Sequence, residues 1–179
     1  MIGHGFIPGL TGRALGSPAS FDPTDKGADV GLSGGNLTVT WSQGSGNQNA
    51  RTISSKGGGR WYMEASGSGF LGVCTVAEWA VSLAPLSPRT VGVSTSTFEI
   101  AIDLEARLMW SRGSHGASWN GNPSADPVTG VGGTDISSLT GDLYFIANAS
   151  NNSFGPLTVN FGAAGFANDP PYGYAGWTA

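Results

Sequence analysis

The sequence is short of charge, of lysine, of cysteine and of long hydrophobic runs. Charged residues make up 11% of the chain, against roughly 25% in ordinary soluble domains. The bases Lys26, Lys56, Arg13, Arg51, Arg60, Arg89, Arg107 and Arg112 are scattered. Nucleic-acid binding needs a basic stripe that displaces counterions from phosphates, and these eight residues form none. Cys74 is the single cysteine, which excludes an intramolecular disulfide. Its apolar neighbours in "FLGVCTV" point to a buried, inert thiol. His4 and His115 have no cysteine or carboxylate at ligand spacing, which argues against zinc. The one G-x-S-x-G string, "GLSGG" at 31–35, is a glycine-rich turn distant in sequence from both histidines, which argues against serine hydrolase chemistry. The most apolar stretch, Phe70 to Leu86, carries Glu78 and is broken by Pro85. It falls short of the roughly 20 residues that a membrane-spanning helix needs. The opening "MIGHGFIPGLTG" lacks a basic start followed by an apolar stretch, so no signal peptide is expected.

Glycine is abundant instead: 30 of 179 residues, against a usual share of roughly 7%. Each glycine costs a helix interior about 1 kcal/mol relative to alanine, so helical bundles are disfavoured. Apolar residues at 39%, with six tryptophans, suffice for one core. The expectation is a single all-β domain with many turns. Its solubility then rests on hydroxyls and amides rather than on charge.

Residues 1–20 read as an arm, because Gly3, Gly5, Gly9, Gly12, Gly16, Pro8 and Pro18 interrupt any regular element. Phe6, Ile7, Leu10 and Leu15 make it too apolar for a solvated tail. It either packs on its own domain or docks on a partner subunit. The domain proper is assigned to 21–179. Within it, "NLTVTW" alternates, with Leu37, Val39 and Trp41 on one face, and "QGSGNQN" (Gln43–Asn49) reads as a loop. "KGGG" turns into a strand with Trp61, Met63 and Ala65 on one face. "VGVST" is a further strand. In "FEIAIDLEARLMW", Phe98, Ile100, Ile102, Leu104, Ala106, Leu108 and Trp110 recur at a spacing of two. That period places all seven on one face of a strand, bent into a hairpin near Leu104–Ala106, with Trp61 and Trp110 in the core. Gly113–Asp135 reads as a long polar loop. "LYFIAN" and "LTVNFG" are the last strands, and "FANDPPYGYAGW" caps one end of a sandwich.

Two loops carry the pattern of carbohydrate recognition, an aromatic ring flanked by amides. Trp119, Asn120 and Asn122 form one set; Trp41, Gln43, Asn47 and Asn49 form the other. Trp119 has a structural alternative as an anchor that pins the long loop. Asp126 and Asp135 in that loop offer oxygens to calcium, but without D-x-D-x-D-G spacing, so no metal or cofactor is expected. Glu64, Asp103 and Glu105 are the carboxylates a glycosidase would use, two of them about 5 Å apart for retention. Turn solvation or bonds to backbone amides explain Asp103 and Glu105 more simply. Arg107 and Arg112 are expected to pair with carboxylates of the sheet.

The order of these pieces resembles the SPRY family, a concanavalin-like antiparallel two-sheet β-sandwich of jelly-roll type, and specifically its bacterial and phage branch. The matching pieces are "FDPTDKGADVGLSGGNLTVTW", "GGGRWYMEA", "VGVST", "IAIDLEARLMWSR" and "LTVNFGAAGFANDPPYGY", which together cover about residues 21–177. The loop "WNGNPSADPVTGVGGTDIS" is similar to one in SPRY-like proteins encoded in phage structural-gene regions. The insert "AEWAVSLAPLSPRT" departs from the family pattern. Concanavalin-like glycosidases carry E-x-[DE]-x-x-E strands, whereas "IDLEARL" supplies only D-x-E. The resemblance therefore implies a binding or assembly module without enzymatic activity. The expectation is a bacteriophage virion component, decorating the capsid or associated with the tail or tail fibre. Its partners would be other virion proteins, copies of itself and, through its loops, a host-surface glycan. A lectin-like module of a bacterial surface protein, a glycosidase and a peptide-binding adaptor are the alternatives.

Overall fold

The chain was analysed in a computed structural model that describes residues 19–42, 48–81, 90–94, 97–149 and 154–178. The strands run β1 Phe21–Lys26, β2 Val30–Ser33, β3 Thr38–Trp41, β4 Gln48–Thr52, β5 Arg60–Gly67, β6 Gly69–Thr75, β7 Thr90–Val93, β8 Phe98–Asp103, β9 Leu108–Arg112, β10 Thr134–Asp135, β11 Leu143–Ala149, β12 Leu157–Asn160 and β13 Ala175–Gly176. A short helix, α1 Val76–Val81, follows β6, and a 3-10 turn occupies Trp119–Gly121.

Two sheets face each other, so the fold is an all-β sandwich. One has the order β1-β4-β11-β6-β7; the larger has the order β10-β9-β8-β5-β12-β3-β2, with β13 added on β5. The pairings are antiparallel except for β13, which runs parallel to Trp61 and Tyr62 just where β12 leaves β5 at Glu64. The chain's last aromatic stretch thus completes the flank of β5, and the fully buried Trp177 tucks against Trp61 and Phe145. Between the sheets lies the main core, which includes Phe21, Val39, Trp41, Met63, Leu71, Ile100, Ile102, Phe145, Val159 and Phe161. Cys74 is buried, as its apolar neighbours indicate.

Two expectations change. The seven apolar residues of Phe98–Trp110 do not share a face. Phe98, Ile100, Ile102 and Leu104 enter the main core, whereas Leu108 and Trp110 belong to a second cluster on the outer face of the larger sheet. The hairpin pairs Asp103 with Leu108 through a four-residue turn in which Arg107 has φ 56. Paired residues share a face, and their separation here is odd, so the alternation inverts and Met109 points inward instead. Trp110 is fully buried, but outside the main core.

The second change concerns Asn49. It belongs not to a loop but to β4, which opens with two consecutive buried amides, Gln48 and Asn49, and lies between β1 and β11. Asn49 is 2% exposed and its Oδ1 accepts a hydrogen bond from Nδ2 of Asn148 on β11. Alternation arguments miss the start of this strand because Gln48 and Asn49 are both buried, and Asn49 is satisfied by amide pairing rather than by apolar packing.

Candidate functional site

Strand register builds a layered surface on the outer face of the larger sheet, because partners across antiparallel strands stand side by side. At one end, Arg60 pairs with Asp103 and Asp103 with Leu108. The next row is Tyr62, Ala101 and Trp110, roofed by Trp119, Ala125, Phe166 and Tyr174. The third row is polar and crosses four strands: Asn160, Glu64, Glu99 and Arg112. Beyond it come Ser66, Thr158 and Thr38, with the two threonine hydroxyls 2.9 Å apart.

The polar row holds two facing carboxylates, each closed off by donors. Glu64 accepts the backbone N–H groups of Ala167 and Asn168, both at 2.8 Å, and the Tyr62 hydroxyl at 3.3 Å. Glu99 is fully buried and accepts Nε and Nη2 of Arg112 through one oxygen, at 2.8 and 2.5 Å. Its other oxygen lies 3.3 Å from Nδ1 of the exposed His115. The Arg112 guanidinium also stacks 4.2 Å over the Trp119 ring. Burial, with Glu99 and Glu64 beside it, pushes the Tyr62 hydroxyl far above the ordinary tyrosine value. It therefore stays a proton donor between the two carboxylates. A small groove of about 160 Å³ opens on the Glu64 side, lined by Ser66, Thr97, Thr158 and Asn160. A larger one of about 580 Å³ opens on the Arg112 side, lined by Val91, Phe98, Ser111, Ser118 and Asn120.

The first of the two candidate loops is built into this roof. Trp119 is 8% exposed, so its ring is covered rather than presented for stacking. Asn120 has φ 51 and turns its side chain back onto the sheet. Its Oδ1 accepts Ser111 N–H at 2.8 Å, and its Nδ2 donates to the carbonyls of Gly132 at 2.9 Å and Met109 at 3.2 Å. Asn122 accepts Ser124 N–H, Asp126 accepts Val128 N–H and the Thr129 hydroxyl, and Asp135 accepts Ser137 N–H. Each polar side chain thus replaces a backbone partner that an irregular loop lacks. Trp119 and Asn120 come together with Arg112; Asn49 lies in the other sheet. Gln43, Asn47 and the arm residues Phe6, Ile7, Leu10 and Leu15 lie outside the described residues.

Glu99 carries the centre of the polar row, and sequence reasoning passed over it. Its one signal was its place in "FEIAID", where the residues between the apolar ones are Glu99, Ala101 and Asp103, a mixed second face. Asp103 accepts Glu105 and Ala106 N–H through Oδ1 and pairs with Arg60 through Oδ2, as a turn-closing carboxylate does. Arg112 pairs with a sheet carboxylate as expected. Arg107 does not: its Nη2 donates to the Gly141 carbonyl at 3.0 Å, because the positive φ of the turn points it toward the 138–142 segment. Among the described residues no three His, Cys, Asp or Glu side chains gather as a metal site would require. No helix among them is long and apolar enough to cross a membrane.

The fold that carries this geometry is an antiparallel two-sheet β-sandwich of SPRY type. Among solved structures, the chain is similar to the SPRY domain of human HERC1, at 13% identity and a TM-score of 0.55, covering 78% of this chain and 96% of that one. It is similar also to the PSpry domain of TRIM65, at 15% identity and a TM-score of 0.56, covering 80% and 92%. At this identity the likeness is one of fold. No family model matches the sequence, and no curated protein matches it.

Proposed function

We propose that the chain is a non-catalytic attachment module, a structural component of a bacteriophage particle that decorates the capsid or sits on the tail. One observation carries the non-catalytic part: both carboxylates that face each other on the outer sheet, Glu64 and Glu99, are engaged by backbone amides, a guanidinium and a tyrosine hydroxyl. A retaining glycosidase needs one such carboxylate free to attack and the other free to exchange a proton with the sugar. The particle assignment rests on the likeness of the 119–137 loop to those of phage structural regions, and on a lysine-poor surface suited to packing among neighbours. Copies of the chain would then be arranged with the particle's symmetry.

Mass spectrometry of purified particles tests the reading: the chain is expected in stoichiometric amounts, and its absence overturns the assignment. Incubation with bacterial polysaccharides is expected to release no reducing ends. Release that is lost in Glu64→Gln or Asp103→Asn would establish a glycosidase instead. A host-surface glycan contact would fall to the groove beside Arg112 and Asn120, where titration calorimetry of Ser118→Trp should show weakened binding.

A further inference from the structure

The grooves of the molecule differ in the charge of their walls. Glu64 lines the groove of about 160 Å³, and Glu78 and Asp142 line another of about 370 Å³. The groove of about 580 Å³ has no carboxylate in its lining, and Arg112 is the one ionisable side chain there. Such a wall is an exception in a chain with twelve acidic and eight basic residues. The countercharge of Arg112 lies behind it. The Arg112 side chain is 12% exposed and that of Glu99 is 0% exposed, so the groove meets the cation and not the anion. Nε and Nη2 are committed to Glu99. Nη1 has no hydrogen-bond partner among the described residues, which leaves part of the guanidinium fork open to a ligand oxygen.

His115 adds a second, conditional charge. Its Nδ1 lies 3.1 Å from Nη2 of Arg112, a donor, and 3.3 Å from Oε1 of Glu99, an acceptor. One nitrogen serves only one of them at a time. Bare, it accepts from Arg112; carrying a proton, it donates to Glu99. Glu99 on β8 and Arg112 on β9 are the charged groups that meet His115 among the described residues. The three side chains together are neutral with a neutral imidazole and carry one positive charge with a protonated one. Histidine is the side chain suited to make that change between pH 5 and 8. His115 is not itself in the lining of the groove; it acts through the guanidinium that it touches.

We propose that this groove takes a sugar bearing a carboxylate, held by Nη1 of Arg112, and that protonation of His115 strengthens its binding. The inference rests on the reading of this groove as a glycan contact and names the class of glycan.

Titration calorimetry of the full chain tests it, with a hexuronic acid trisaccharide and its uncharged hexose counterpart at pH 5 and pH 8. The acidic sugar is expected to bind more tightly than the neutral one, and about two- to fivefold more tightly at pH 5 than at pH 8, the range of one partly exposed charge pair. His115→Gln is expected to abolish the difference between the two pH values. Ser118→Glu sets a carboxylate in the wall and is expected to weaken the acidic sugar roughly fivefold, and the neutral sugar less. Both positions are exposed and the Ser118 side chain makes no capping bond, so the variants should fold. Equal binding of the two sugars, or a preference for the neutral one, would overturn the proposal and leave the glycan contact standing. Binding of neither would remove the glycan contact as well. A wild-type affinity that ignores pH, or a pH difference that persists in His115→Gln, would overturn the part assigned to His115.

Discussion

Asn120 shows what a single residue does in the long loop. Its left-handed backbone suits asparagine better than most side chains, and its amide bonds three separate backbone groups of β9 and the loop. Asn120→Ala should cost about 2–3 kcal/mol by losing these bonds and straining φ; Asn120→Gly should cost about 1 kcal/mol less, because only the bonds are lost. Urea unfolding of both variants separates the two contributions. Two glycines give a cleaner contrast. Gly67 joins β5 to β6 at φ 113, and a Cβ there would lie 1.9 Å from the Pro156 carbonyl oxygen. Gly35 has φ 69 with open space around it. Gly35→Ala should cost about 1–2 kcal/mol from backbone strain alone, whereas Gly67→Ala should unfold the protein or shift its midpoint by well over twice as much. The composition showed that glycine was in excess; which glycines are irreplaceable depends on neighbours distant in sequence.

At the scale of elements, the β8–β9 hairpin ties the two layers of the larger sheet together. Its inward side chains fill the main core, and its outward ones, Glu99, Ala101, Trp110 and Arg112, carry the roof. Glu99→Gln would leave the Arg112 guanidinium nearly buried without its countercharge, and should destabilise the chain by about 3 kcal/mol or more. Replacing Glu99 and Arg112 together by leucine and methionine should restore most of that loss, since two desolvated charges disappear at once. Thermal unfolding of the two variants decides the matter: if the double replacement is no better than the single one, the pair contributes more than mutual neutralisation. The strand pair itself was legible in the period-two spacing of Phe98 to Leu104. The inversion after the turn was not, because one added turn residue reverses every later side chain without altering composition.

Taken whole, the molecule holds two phenols in low-dielectric surroundings. Burial, with Glu99 and Glu64 adding to it, raises Tyr62; burial, with Asp103 adding to it, pushes Tyr174 up to about 12. In the unfolded chain both titrate near the ordinary tyrosine value of about 10. Above that pH the unfolded state releases protons that the folded state retains, so stability present below pH 10 falls as pH rises further. Denaturant midpoints measured between pH 8 and 11.5 should decline at the alkaline end, and Tyr62→Phe should flatten the decline, whatever it does to stability at neutral pH. A slope unchanged in that variant would mean that Tyr62 titrates normally.

The glycine excess, the single cysteine, the sparse charge and the alternating strands determined an all-β sandwich, because turn frequency and period-two burial are local properties. The ordered resemblance of short pieces carried this to a SPRY-type fold, which the solved structures bear out. The chemistry of the outer face was decided only in three dimensions. An asparagine that reads a sugar and one that pins a loop have the same side chain, and so have a catalytic glutamate and a structural one. What separates them is whether the donors around each oxygen are already supplied by the protein. For Glu64 those donors come from Ala167 and Asn168, more than a hundred residues further along the chain.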